Sequence, residues 1–296
     1  MAVTISLSNA IRSNLLALQQ TTDLANTTQD RLASGKKVNS ALDNAVAFFQ
    51  AKNLSERSAD FADRKSGIDQ GVSTLKAAVN GTEGVDRVLK QLKAILQSVK
   101  TATDAEKTSF QTQFNTLTKQ LDLLANDASY QGLNLINATT STLTVKFSNI
   151  TTSQLDVVGK DFNATVLFTA GTAGNALVAS LLVNGKDFSS LAASNAGSDG
   201  TTFTAIDDAI ALVETAISTV RSGTAELAAN VTFLQTRLDF TKEYIKTLDE
   251  GSGKLVLADI NEEGANLISL QTRQQLALQA LSFAAQSERA VLTLFR

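Results

Sequence analysis

Cysteine, histidine, proline and tryptophan are all missing from the 296 residues. Without Cys there can be no disulfide, whatever compartment the chain occupies. Without Cys and His the usual zinc, copper and haem sites are excluded. So are Ser-His and Cys-His nucleophile pairs. Only carboxylate, Lys or Tyr chemistry remains, and an enzyme is the least expected class. Without Pro, long helices can run unbroken. Slow prolyl isomerisation also leaves the folding path, which suits a chain delivered unfolded or simply reflects a helix-rich composition. The net charge is −3, so electrostatics give no case for nucleic acid. No apolar run reaches the roughly 18 residues of a membrane span, and no membrane partner is expected. The opening MAVTISLSNAIRSNLL lacks a basic stretch followed by an apolar block, so it does not read as an ordinary secretory signal.

What is present is helical periodicity. Ile11, Leu15, Leu18, Thr22, Ala25, Gln29 and Leu32 recur in alternating steps of four and three, a narrow coiled-coil seam. Thr22 and Gln29 weaken it, so this helix alone is marginal. The pattern stops at Ser34-Gly35, where Gly suits a left-handed helix end. Ser40 and Asp43 form an S-x-x-D capping signal for a restart. A long helical region follows from Leu42 to about Lys100, with a phase shift that places a break or kink near Gly81 and Gly84. Thr103 with Glu106 signals another helix start, followed by the stripe Phe110, Phe114, Leu117, Leu121, Leu124 and Ala128.

The middle changes character. Leu143, Val145 and Phe147 alternate, as do Leu155 and Val157, which predicts a hairpin. Residues 161–204 are rich in Gly, Ser, Thr and Ala, and short strands or turns are expected there. Thr204 with Asp207 gives a third capping signal. Then Ile206, Ile210, Val213, Ile217, Val220, Thr224, Leu227, Val231, Leu234, Leu238, Thr241, Ile245 and Leu248 keep four-three spacing without exception. Glu250-Gly-Ser-Gly253 reads as the end of that helix and a second connector. The last helix begins near Asp259. From Leu276 to Phe295 it is apolar on more than one face, which normally means burial. A terminal helix of a small domain has little of its own to be buried in, so a partner, a membrane surface or self-assembly is indicated. The expected fold is mainly α: a long-helix bundle whose N- and C-terminal helices pair, with a small β-hairpin region between.

Two features invite sharper readings. The stretch SGKKVNS resembles a phosphate loop, but Asp30 stands where the motif needs Gly and Lys37 where it needs Ser or Thr, and it follows a helix rather than a strand. Carboxylate pairs such as Asp207-Asp208 and Glu262-Glu263 are adjacent, and adjacent residues do not share a helix face. They fit better as acidic first turns. No catalytic, cofactor-binding or metal site is assigned.

The stretch RLASGKKVNSALDNA resembles a bacterial flagellin pattern in which a helix ends at R-L-[SA]-S-G and resumes at [IV]-N-S-A-x-D-[DN]-A. The opening SLSNAIRSNLLALQQTTDLANTTQDRLASGKK and the closing LVLADINEEGANLISLQTRQQLALQALSFAAQSERAVLTLFR are similar to flagellin ends. Phe48-Phe49 and the short middle are similar to α-proteobacterial members. The resemblance implies a non-enzymatic subunit of an extracellular motility filament, exported unfolded and added under a cap. Residues 1–34 and 255–296 would form an inner coiled-coil layer. Residues 35–160 and 204–254 would form a helical layer with the hairpin, and 161–203 a short outer insertion. Arg31, Ser34, Gly35, Asn39, Ser40 and Asp43 would make the connector between layers. Ile11, Leu15, Leu18, Leu281, Phe283, Leu292 and Phe295 would drive assembly. The terminal segments are expected to be disordered in the monomer and helical in the filament. Partners implied are further copies of the chain, a filament cap, hook-junction proteins and an export chaperone. Flagellins often present L-Q-R-x-R-E-L to an animal innate receptor. Here Val85-Asp-Arg-Val-Leu-Lys-Gln-Leu92 reproduces at most the first Arg, as Arg87, so weak recognition is expected. The runner-up role is a hook–filament junction protein, and a secreted adhesive or immune-modulating ligand is more distant.

Overall fold

A computed structural model describes residues 9–149, 152–169 and 204–294. Six helices and two small antiparallel pairs occur among them: α1 Asn9–Ser34, α2 Ala45–Val99, α3 Asp104–Asp127, β1 Ser129–Tyr130, β2 Leu133–Asn134, β3 Thr142–Lys146, β4 Gln154–Val158, α4 Ala164–Thr169, α5 Thr204–Val256 and α6 Ile260–Leu294. The mainly α fold with a mid-chain hairpin is what the patterning leads one to expect. The chain divides into two compact units. One joins the ends of the chain, up to Ala59 and from Ile245 onward; the other is Asp60–Tyr244.

In the Asp60–Tyr244 unit the heptad decides which side chains go inside. Along α2 the buried line runs Ile68, Gly71, Leu75, Ala78, Thr82, Val85, Leu89, Leu92, Leu96 and Val99, alternating three and four throughout. The expected break near Gly81 and Gly84 is therefore corrected: α2 is continuous, and no phase shift exists. The seam passes through Gly71, Ala78 and Thr82, which carry little apolar signal. Gly81 and Gly84 serve close packing. A Cβ at Gly81 would lie 2.5 Å from the Ala128 Cβ and 2.7 Å from the Ile136 Cδ1, and one at Gly84 2.7 Å from the Leu124 Cδ2. Through α5 every member of the stripe that lies in this unit, Ile206 to Thr241, is buried or half-buried.

The hairpin closes this core. Leu143 pairs with Val157 and Val145 with Leu155. Val145, Phe147 and Val157 point inward and are buried, as the alternation predicts. A second, two-residue hairpin was not foreseen. Gln131 and Gly132, at φ +50° and +82°, make its turn, and both signs suit a tight hairpin of this kind. The buried Asn134 side chain donates to the carbonyls of Ala125 (2.7 Å) and Asn126 (3.0 Å), satisfying the end of α3, and accepts from the Ile136 N–H at 2.8 Å. The start of α3 agrees with its signal, the Thr103 N–H donating to Glu106 Oε2 at 2.8 Å. Residues 164–169 form the helix α4, where strands or turns were expected. Its first N–H group finds a carboxylate, Asp122 Oδ1 accepting from Ala164 at 2.7 Å. Residues 170–203 and the Thr204 side chain lie outside the described residues.

Charged pairs tie α2 to α5 on the surface of this unit. Asp86 accepts from Lys90 at 2.6 Å and from Arg221 at 2.9 Å, and Lys93 meets Glu214 at 2.7 Å. Burial pushes the Asp86 carboxyl up, but the Lys90 and Arg221 cations outweigh it and hold the pKa below the ordinary carboxylate value.

Candidate assembly surface and connector joint

The unit made from the chain ends pairs α1 with α6. The less exposed line along α6 is Glu263, Leu267, Leu270, Gln274, Ala277, Leu281 and Ala284, again four and three. On α1 it is Ile11, Asn14, Leu18, Thr21, Ala25, Thr28 and Leu32. Glu263, Gln274, Asn14, Thr21 and Thr28 interrupt this seam with polar side chains. Polar contacts cross it: Gln274 Nε2 donates to Thr22 Oγ1 at 3.3 Å, and Arg31 Nη1 to Glu263 Oε1 at 3.1 Å. Among the described side chains of α6, Glu263 alone is buried.

The candidate assembly residues fall into three groups. Ile11 is buried, and Leu18 and Leu281 are half-buried on the seam. Leu15 and Phe283 face water, at 40% and 70% exposure. Thr28 rather than Gln29 occupies the buried position of α1. The Leu292 side chain and Phe295 lie outside the described residues.

The connector is built by short-range polar chemistry. α1 ends at Ser34, and Gly35 follows at φ +68°, the left-handed conformation that costs Gly no Cβ clash. Its carbonyl accepts from Ala258 N–H at 3.0 Å. Lys36 forms a β-bridge with Leu257, and the Lys37 N–H donates to the Val256 carbonyl at 2.8 Å. The Lys37 ammonium reaches the Lys254 carbonyl at 3.0 Å. The two connectors are thus stitched together by main chain. Ser34 Oγ accepts from the Asn39 side-chain amide at 3.0 Å. Asp43 Oδ2 accepts the N–H groups of Asn39 and Ser40, both at 2.9 Å, and the Ser40 hydroxyl at 3.3 Å. Those backbone bonds, from Ser40 and then Asn39, hold the Asp43 carboxyl below its ordinary pKa.

Two expectations are corrected here. Ser40 and Asp43 do not cap α2. They form a turn, with Asp43 N–H donating to the Ser40 carbonyl at 3.2 Å. Asn44 is the cap, its Oδ1 accepting from Ala47 N–H at 3.1 Å. The stretch Glu250–Gly253 does not end α5, which continues to Val256. This stretch packs on α2: Gly251 lies beside Leu54, and Ser252 Oγ donates to the Ala51 carbonyl at 3.1 Å. Asp259 caps α6, accepting from Asn261 N–H at 2.9 Å.

The structure brings Arg31, Ser34, Gly35, Asn39, Ser40 and Asp43 into one joint. Sequence reasoning missed the partner of Arg31: Glu263 was read only as an acidic first turn. It also missed Lys36 and Lys37 as main-chain partners of the second connector. A cleft of about 660 Å³ opens beside the joint, with Arg31, Lys37 and Lys254 on its wall together with Asp43, Asp259 and Glu262. Its charges are mixed in sign, and no group of His, Cys, Asp or Glu suited to a metal occurs among the described residues.

Two family models match the chain: the bacterial flagellin N-terminal helical region over residues 5–141 and the bacterial flagellin C-terminal helical region over residues 205–295. Flagellin FljO of Caulobacter vibrioides is 31% identical, covering 97% of this chain and 99% of its own. A flagellin of Brucella melitensis is 28% identical over the whole of both. A putative flagellar hook-associated protein from Vibrio parahaemolyticus shares the fold, with a TM-score of 0.56 at 15% identity, over 73% of this chain and all of that one. The chain belongs to the bacterial flagellin family, α-proteobacterial in its relatives. It is a structural subunit of the extracellular flagellar filament and not an enzyme.

Proposed function

We propose that this flagellin polymerises through α1 and α6, whose outer faces meet the same helices of other copies. One observation carries the reading. Ile268, Leu276, Leu278 and Phe283 of α6 are all more than half exposed, although the helix is apolar on several sides. Each large apolar side chain fully buried contributes roughly 1.5–3 kcal/mol. Several together, added to the pairing of α1 with α6, oppose the entropy of ordering the ends, about 1–2 kcal/mol per residue. Repeated contacts between unlike surfaces that do not close produce a helical polymer.

Residues 1–34 and 255–296 form the inner layer in this reading, 35–160 with 204–254 the next, and 161–203 an outer insertion. The six connector residues set the joint between layers. The chain travels unfolded, and the thin α1–α6 seam forms only after delivery. In the free monomer those ends fray and protease cuts them; in the filament they are protected. An export chaperone that covers the apolar tail, a filament cap and hook-junction proteins are the expected partners. Innate-receptor activation is weak, because Val85, Leu89 and Leu92 are buried and Arg87 lacks the Arg-Glu-Leu continuation. A cell reporter as responsive as to a standard flagellin would refute that.

The deciding experiment is seeded growth of the purified chain, seen by negative-stain microscopy, beside a version lacking residues 276–296. Long filaments from the intact chain alone support the reading. An intact chain that adds only a few copies and stops assigns it to the hook–filament junction instead.

A further inference from the structure

The turn that closes the first connector carries an apolar side chain at its tip. Leu42 is 98% exposed. Turn tips favour Gly, Asn, Asp and Ser, for backbone and solvation reasons. A single exposed Leu needs no explanation, but this one is neither alone nor loose. Its N–H donates to Ser40 Oγ at 3.3 Å, and the next residue, Asp43, gathers Asn39 and Ser40. The main chain on both sides is therefore fixed. Val46 and Phe49, one turn apart on the same face of α2, are 68% and 56% exposed. Leu257 on the second connector, stitched to the first, and Ile260 at the start of α6 are 54% and 62% exposed.

We infer that Leu42, with Val46 and Phe49, is a preformed docking knob for a second copy of this chain in the filament. The inference rests on the proposed assembly through α1 and α6. The occupant follows from continuity: the knob lies in the same unit as the exposed face of α6. It also follows from the polymer itself, which surrounds every subunit with copies. Leu42 gains nothing inside its own subunit, because almost none of its surface is covered there. The hydrogen bonds at Asp43 hold the main chain before docking, so only the side chains remain to be ordered against a neighbour.

The chain has no cysteine, so Leu42→Cys carries one environment-sensitive dye at one place. A trace of labelled chain is copolymerised with unlabelled chain on short seeds. The dye emission shifts to the blue in sedimented filaments and not in the monomer. In a separate preparation, Leu42→Asp raises the critical concentration for growth about tenfold or more, while the thermal midpoint of its monomer matches the parent. Unchanged emission in filaments overturns the inference, and so does growth of Leu42→Asp at the parental concentration. The version lacking residues 276–296 runs alongside. If that version grows normally, the terminal-helix reading fails, while the dye at position 42 still reports on the knob.

Discussion

Helices α5 and α6 follow one another in the chain and both keep a four-three repeat, yet they meet opposite fates. In α5, Val213, Val220 and Leu234 are wholly buried. In α6, which is apolar over a wider arc, no described aliphatic or aromatic side chain is buried. Hydrophobicity therefore does not decide burial here; the supply of partners does. The Asp60–Tyr244 unit encloses its seam with α3, the hairpin and α4. Along α6 the terminal unit offers one long partner, α1, and a single helix cannot surround another.

Substitutions that trade on this contrast should rank by how completely the site is enclosed. The largest loss is expected for Leu89→Ala, which empties a fully buried position. It should cost about 2–5 kcal/mol in urea unfolding of the monomer, with the slope unchanged. Next comes Gly81→Leu, which forces side chains into the Ala128 and Ile136 contacts. About 1–3 kcal/mol is expected, and a stable variant would mean that α2 and its neighbours pack less closely than described. Asp43 gives a smaller, local effect. Its folded pKa lies below the unfolded value, so the turn's bonds are complete above the ordinary Asp value of about 3.9. They are lost as pH falls through the lower folded value. Hydrogen exchange at the Asn39 and Ser40 amides, relative to intrinsic rates, should lose protection in that acid window, and Asp43→Asn should remove the pH step. The smallest change in the monomer is expected for Phe283→Ser, within about 0.5 kcal/mol, although seeded filament growth should drop sharply. A large monomer loss there would erase the contrast between the two units.

Most of the helical architecture was legible because a buried seam must repeat, and the α5 stripe repeats in plain apolar residues. Legibility failed where small residues do the packing. Gly71, Ala78 and Thr82 hold the α2 seam without a hydrophobic signal, so a continuous helix looked broken. Gly251 and Gly253 looked like a helix end because glycine weakens a helix in isolation, and sequence alone does not show the packing of this stretch on α2 that carries α5 through it. Gly35 could be read correctly because a helix stops there and the chain turns. The tight hairpin at Gln131-Gly132 was missed because Gln is a weak mark for its turn. At the joint, the local residues were readable as a cluster. The Arg31–Glu263 pair was not, because its members are separated by 232 positions, and no local rule links them.

The stitched connectors have a mechanical meaning. A single strand between two helices swivels about its own bonds, so it transmits pull but little torque. Here the chain passes through the joint twice, and the Gly35–Ala258, Lys36–Leu257 and Lys37–Val256 ties act as rungs between the passes. Twisting one strand must drag or break its partner's rungs. A subunit stitched in this way resists twist at its joint through hydrogen bonds that add almost nothing to its hydrophobic cohesion.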